Sequence, residues 1–448
     1  MTRAVSLSEA KTDTHQVGHI VGRLLLSFFC KETAQGGLVG AEKATYRWWV
    51  LVNTFLIFTI AFGMGWTYIV MLVSQVLQDL GLAMTDWGAL WSAISFGTML
   101  SAIVGGALGD RFGIRLSVGL GVVFMGLFLT LRATASSFVT LYAWMFLFGI
   151  ALAVTFSNVP KALGMWFPQE EFGLANGVTQ AGYGAGAGLA TVLTPLMWER
   201  LGGWRSLTYL LGVLTIGLGV LWLCTVRDRS VSVSHADNAQ PGLSKALRQV
   251  MGVRDVWIVA GCYFLFLGGY IGLIGYAPTY FVNVQGMTAP AAGAVISIVM
   301  WVFVLGTFFL PTLSDRVGLR KAFFSPGMIV TGGLIFVAAF VVGTPLWMVA
   351  ALWGFTAGVS ALAFVVPLEM EQVGPALAGS ALGVAATAGY LGGFVTPLIC
   401  AQLVNLNPVA GFAFGGVCYA LSGLLFLLLK ETGPRVRGIL VNVDAHNR

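Results

Sequence analysis

Charge is scarce in this chain. Asp, Glu, Lys and Arg together make up 9% of its 448 residues, while apolar residues make up 57%. That balance excludes a water-soluble domain, which cannot keep so many apolar side chains from water with so few charges. Cysteine is also sparse. Cys30, Cys224, Cys262, Cys400 and Cys418 are scattered without a CxxC pair, which argues against a disulfide framework and a metal cluster. The four histidines lie at positions 15, 19, 235 and 446, outside every long apolar run. No Ser-His-Asp spacing, metal-ligand cluster or phosphate-binding loop is present, so neither a hydrolase nor an ATP-driven pump is indicated, and no cofactor is expected. No small-residue cleavage pattern follows a basic start, so no cleavable signal peptide is read.

What is present is long apolar segments. A bilayer core takes roughly 20 apolar residues per helical crossing. Twelve such spans are read, at 48–74, 87–108, 114–131, 138–162, 171–198, 204–225, 256–282, 289–313, 322–343, 345–368, 375–403 and 409–429. They are too long and too uniformly apolar for barrel strands, which leaves helices. With both termini in the cytoplasm, 21 of the 24 Lys and Arg fall on the cytoplasmic side, and only Arg132, Arg200 and Arg205 do not. The net charge of +6 therefore reports topology and points to no nucleic-acid partner. The apolar stretch 17–29 is too short to span and suits the membrane surface. Trp48, Trp49, Trp166, Trp204 and Trp257 lie near span ends and read as an interfacial belt.

The chain repeats itself. "GDRFGIR" at 109–115, after span 2, returns as "SDRVGLRK" at 314–321, after span 8. The segment ending in Thr194-Pro195-Leu196 of span 5 aligns without a gap with the one ending in Thr396-Pro397-Leu398 of span 11. Two similar halves that rock about a central site are a transporter pattern. The expected organisation is a cytoplasmic tail 1–46, a six-helix half 47–226, a cytoplasmic linker 227–254, a second half 255–430 and a tail 431–448.

On these motifs the chain resembles the major facilitator superfamily, from about residue 46 to 430. The resemblance implies an all-α membrane protein of twelve transmembrane helices in two pseudo-symmetric six-helix bundles. It also implies movement of a small solute by alternating access. Asp110, Arg111 and Arg115, with Asp315, Arg316 and Arg320 in the second copy, would latch the cytoplasmic side in one state. Asp110 would face the positive end of a helix from the other half. The competing reading of the arginines is topology anchoring alone. The chain departs from the family in several places, among them span 5, which lacks the glycine-proline pair of the antiporters and so weakens a drug-efflux reading. The arginine that many proton-driven members carry in span 4 is Met145 here, and the arginines of the nitrate carriers in spans 2 and 8 are absent. Span 2 offers Ser92, Ser95, Thr98 and Ser101 instead, and span 8 offers Ser297. No Asp or Glu lies deep in any span, so uniport, exchange, or symport with the proton on an acidic substrate fits better than a buried carboxylate relay.

Candidate substrate-binding residues emerge from polarity within spans. Lys161, with Asn158 on a neighbouring part of the same face, can attract an organic anion or can snorkel to the headgroups. Gln180 and Tyr183 share a face of span 5, as do Tyr263 and Tyr270 of span 7. Trp66, Tyr68, Trp301 and Tyr390 complete a hydroxyl- and ring-rich set that can hold a carboxylate without a full charge. Tyr276, Pro278 and Tyr280 mark a bend suited to an outer gate. The glycine run "AGYGAGAG" of span 5 reads as close helix packing. The expected function is transport of a small organic anion of the monocarboxylate type by a monomer in a bacterial inner membrane. Efflux of a neutral or amphipathic compound is the alternative. A third reading is a membrane scaffold with its long N-terminal tail on a partner.

Overall fold

A computed structural model of the chain describes residues 38–227, 243–370 and 372–433. Both expected tails lie largely outside that range, as do the surface segment 17–29, Cys30 and most of the linker. The described residues are helical, with no strand among them. The chain divides into two compact units, Met1–Val52 and Asn53–Arg448. The described part of the first is the start of a helix, Leu38–Ile57, in which the Arg47 guanidinium stacks 5.4 Å from the Trp48 ring. The second unit holds nearly all of the spans.

Helices occupy all twelve expected spans. Span 1 continues through an irregular stretch to Val73–Leu80, and spans 2 to 6 are Met84–Phe112, Ile114–Arg132, Phe138–Trp166, Gln169–Met197 and Trp204–Thr225. Span 7 comprises Arg254–Ile274 and Ala277–Asn283, and spans 8 and 9 are Ala289–Val317 and Lys321–Ala338. Span 10 is Thr344–Ala357 continued by Leu362–Glu369, and spans 11 and 12 are Gly374–Leu406 and Ala410–Phe426. Among the described residues nine helical stretches are long and apolar enough to cross a membrane, and the bent span 2 makes a tenth. Span 12 has 17 residues, and span 5 is diluted by polar residues and glycines. The linker contributes a short amphipathic helix, Leu243–Met251.

Each copy of the repeated motif turns on a glycine at positive φ. Gly113 (φ 86°) separates spans 2 and 3, and Gly318 (φ 77°) ends span 8. Side chains with a Cβ avoid this half of the φ range, so each copy needs its glycine. Spans 5 and 8 run antiparallel, since Gly177, Gly184 and Gly188 of span 5 lie against Phe308, Val304 and Trp301 of span 8 in reverse order. Both motif loops therefore share one end of this unit, called here the motif end.

Three spans lose regular geometry. In span 1, Phe58–Met64 widens to a π-helix and Tyr68–Leu72 tightens to a 3-10 helix. The Gly65 N–H there reaches back five residues to the Ile60 carbonyl. Span 10 has a 3-10 turn at Gly358–Ala361. Span 7 breaks between Ile274 and Ala277, because Pro278 has no N–H to return to the Ile274 carbonyl.

Candidate functional site

The two six-span halves meet away from the motif end. Span 2 lies on spans 7 and 11. The Trp91 indole donates to the Ile271 carbonyl and the Trp87 indole to the Gly275 carbonyl, each at 2.8 Å. The two indoles stack at 5.9 Å. A Cβ on Gly88 would lie 2.7 Å from the Pro397 carbonyl oxygen, and one on Gly293 would lie 2.0 Å from the Thr191 carbonyl oxygen. Past the contact of Gly177 with Phe308, the halves part toward the motif end. Among the described residues nothing lies within 4 Å of a Cβ position on Gly106, Gly173, Gly379 or Gly383, and Leu100, Val104, Leu174 and Phe364 are exposed. The halves are thus closed at the far end and parted at the motif end.

Where they part, tyrosines converge. The Tyr183 hydroxyl of span 5 lies 3.3 Å from that of Tyr270 of span 7, joining the halves. Tyr270 donates to the Met300 sulfur at 3.6 Å, so its oxygen is left to accept from Tyr183. Tyr390 lies within electrostatic reach of Tyr183, and Tyr419 of Tyr270. Trp66 meets Tyr183 edge-on at 6.5 Å and Trp91 at 6.3 Å, which roofs the cluster. Gln180 is exposed one turn from Tyr183 toward the motif end, on the same face. Span 11 binds the set together: Tyr263 packs against Gly389, and Ser95 against Gly393. The Ser95 and Tyr263 hydroxyls are buried with no partner among the described residues. Ser92, Thr98 and Ser101 donate to carbonyls of their own helix.

Other expected residues lie elsewhere. Tyr68 is buried beside Thr208, 3.0 Å between hydroxyls, and does not join the cluster. Trp301 is 45% exposed and covers Gly188 on the seam of spans 5 and 8, next to Ser297. Lys161 neither stands free nor reaches past the protein. It pairs with Asp110 at 2.5 Å and donates to the Gly106 carbonyl at 2.8 Å, capping the end of span 2. Asn158, fully buried, donates to the Gly105 carbonyl at 2.7 Å. Asp110 therefore finds its partner within its own half, and Arg115 donates to the Leu223 carbonyl. Arg111 stacks on the Phe112 ring, and Arg316 is exposed. In the second copy Arg320 is buried, bidentate to Glu369, and also paired with Asp315. Glu369 holds the Arg320 pKa still further above the usual arginine range, against the opposing pull of burial. At the far end Tyr276 is buried beside Gly411, Pro278 follows the break in span 7, and the Tyr280 hydroxyl donates to the Ala339 carbonyl at 2.8 Å.

Sequence reasoning passed over Trp87 and Trp91. Their signal was an i, i+4 indole pair on one face of span 2. It also read Trp204 as interfacial belt, whereas the structure buries that ring and bonds its indole to Asp79 at 3.0 Å.

Two helical halves closed at one end around a central polar cluster define a multi-pass membrane transporter. The chain belongs to the Major Facilitator Superfamily, whose family profile matches residues 54–397. It is 26% identical to the Probable galactarate/D-glucarate transporter GudP of Bacillus subtilis (strain 168), over 89% of this chain and 94% of that protein. It is 24% identical to the Hexuronate transporter of the same organism, over 82% of each. It is 27% identical to the Probable nitrate/nitrite antiporter NarK1 of Thermus thermophilus, over 86% of this chain and 91% of that one. Among solved structures it is similar in fold to a bacterial homolog of the human lysosomal transporter Spinster in an inward-facing conformation. The TM-score is 0.67 at 16% identity, over 86% and 95% of the two chains. A point mutant of the nucleoside transporter NupG gives 0.68 at 14%, over 85% and 97%. The protein is a transporter of a small solute and not an enzyme.

Proposed function

We propose that this chain carries a small organic anion of the monocarboxylate type across a bacterial inner membrane by alternating access. In this reading both termini and the motif end are cytoplasmic, the protein works as a monomer, and the structure is its inward-open state. The observation that carries the reading is the Tyr183–Tyr270 hydroxyl bridge at the point where the halves part. A solute rich in acceptors replaces that bridge and also satisfies the unpartnered Ser95 and Tyr263 hydroxyls. The Trp66 and Trp91 rings pack on its apolar part. The relatives support the anionic class, since their named solutes are galactarate, glucarate, hexuronate and nitrate. The motif loops act as the cytoplasmic latch, and in this open state Asp110 is held instead by Lys161 of its own half. One observation favours efflux of a neutral amphipathic compound instead: the cluster itself holds hydroxyls and rings and no charge.

Flux into proteoliposomes tests the reading. The panel is labelled lactate, pyruvate, D-glucuronate, D-glucarate and nitrate, with a neutral polyol and a neutral aromatic amide, each with and without a pH gradient. Saturable uptake of an organic acid, reduced in Tyr183→Phe and Tyr270→Phe, is expected. Uptake of the neutral compounds alone would overturn it.

A further inference from the structure

Arg132 ends span 3 and was one of the exceptions to the charge asymmetry. It is 0% exposed. Its guanidinium lies 4.2 Å over the Phe148 ring and donates one bond, at 3.3 Å, to the Gly65 carbonyl of span 1. Among the described residues Nε and Nη2 have no partner, and no carboxylate pairs with the guanidinium. The neighbouring Tyr68 hydroxyl gives its proton to Thr208, whose own goes to the Trp204 carbonyl, so Tyr68 can accept from the guanidinium but brings it no negative charge. An arginine keeps its charge in a protein, and one fully buried without a counter-charge is costly.

Its place suggests a use. Gly65 presents its carbonyl to Arg132, and the next residue, Trp66, roofs the tyrosine cluster. The cation and the cluster lie on opposite sides of span 1, about one helix diameter apart, on the order of 12 Å. We propose that Arg132 is the positioning residue that makes the neutral cluster selective for anions. It attracts the solute's negative charge through the wall of span 1 without touching it. This rests on the organic-anion reading above. At an effective dielectric near 20 the attraction is worth about a tenfold change in affinity.

The test is uptake of labelled lactate and D-glucuronate by the wild type and by Arg132→Lys, Arg132→Met and Arg132→Gln, in proteoliposomes of matched, monodisperse protein. Removing the charge should raise KM about tenfold in both Met and Gln variants while Vmax stays within about twofold. Arg132→Lys should keep a KM near that of the wild type. If Lys is as impaired as Met and Gln, or Vmax falls at constant KM, Arg132 only holds span 1 in place and the inference fails. Failure of both uncharged variants to fold, with Lys folding, has the same meaning. If the wild type takes up neither acid, the organic-anion reading fails first and takes this inference with it.

Discussion

One motif meets opposite partners in the two halves. Asp110 pairs with a lysine from span 4, whereas Arg320 pairs with a glutamate from span 10. The first pair is well exposed and, on the proposed alternating-access reading, holds span ends that move. Lys161→Ala and Asp110→Asn should each slow turnover several-fold with little change in KM, in membranes carrying equal amounts of protein. A raised KM in Lys161→Ala at unchanged Vmax would return Lys161 to the binding site. In the second pair Glu369 is the buried partner of Arg320 and the exposed Asp315 is the other. Glu369→Gln leaves Arg320 with Asp315 alone and should cost about 1–3 kcal/mol of stability, read as a lower thermal midpoint in detergent. Arg320 gives that stability no pH slope in the working range. A group with a raised native pKa stabilises the fold below its unfolded pKa and loses that contribution only as pH climbs through the native value. Both values lie above any usable pH.

At the scale of the helix, the glycine run of span 5 serves two neighbours. Gly182 and Gly186 face the Phe55 and Thr59 carbonyls of span 1 in the same half, while Gly184 and Gly188 face span 8 in the other half. A Cβ on Gly186 would come within 2.0 Å of a backbone oxygen, whereas one on Gly184 would meet the Val304 side chain. Gly186→Val should therefore lower the thermal midpoint, at a cost of about 1–3 kcal/mol or more. Gly184→Val should leave it nearly unchanged and bias the halves apart at the far end. Equal midpoints for the two variants would contradict this division of faces. Close packing was legible in the sequence, because small residues at i, i+4 serve little else in a span. The split between two partners was not, since it depends on which helix lies on which side. Span positions were also legible: spans 4 and 6 begin at the expected Phe138 and Trp204. Span 1 extends past its expected 48–74 to Leu80, because its last regular turns, Val73–Leu80, carry Gln75, Gln78 and Asp79 and hydropathy does not register them.

For the whole molecule, on the proposed alternating-access reading the far-end closure is the feature that opposes the outward-open state. Trp87→Phe with Trp91→Phe keeps the stacked rings and deletes both bonds across the halves. Cys400, 2% exposed and lining the same contact, reports the result. In a background lacking the other cysteines, the double variant should label several-fold faster at Cys400 with a membrane-impermeant maleimide. An unchanged rate would mean that packing, not the indole bonds, holds the end shut. Of the residues singled out by polarity and helix face, the structure brings Tyr183, Tyr270, Tyr390 and Trp66 together and leaves Tyr68, Lys161 and Trp301 elsewhere. The partners of Lys161 and the burial of Arg132 were not legible, because a charge at a span end looks the same in sequence whether it faces headgroups, a carboxylate or the inside of a bundle.

The two indole bonds end on main-chain oxygens. Every residue type supplies such an oxygen, so no exchange of the Ile271 side chain deletes the acceptor. The donors have no such insurance. A mutational scan of this contact should be lopsided: broad tolerance of apolar residues at 271, and a requirement for an indole at 87 and 91. Lineages of this transporter can therefore drift at 271 while the tryptophans of span 2, and the Gly275 under the Trp91 ring, stay fixed.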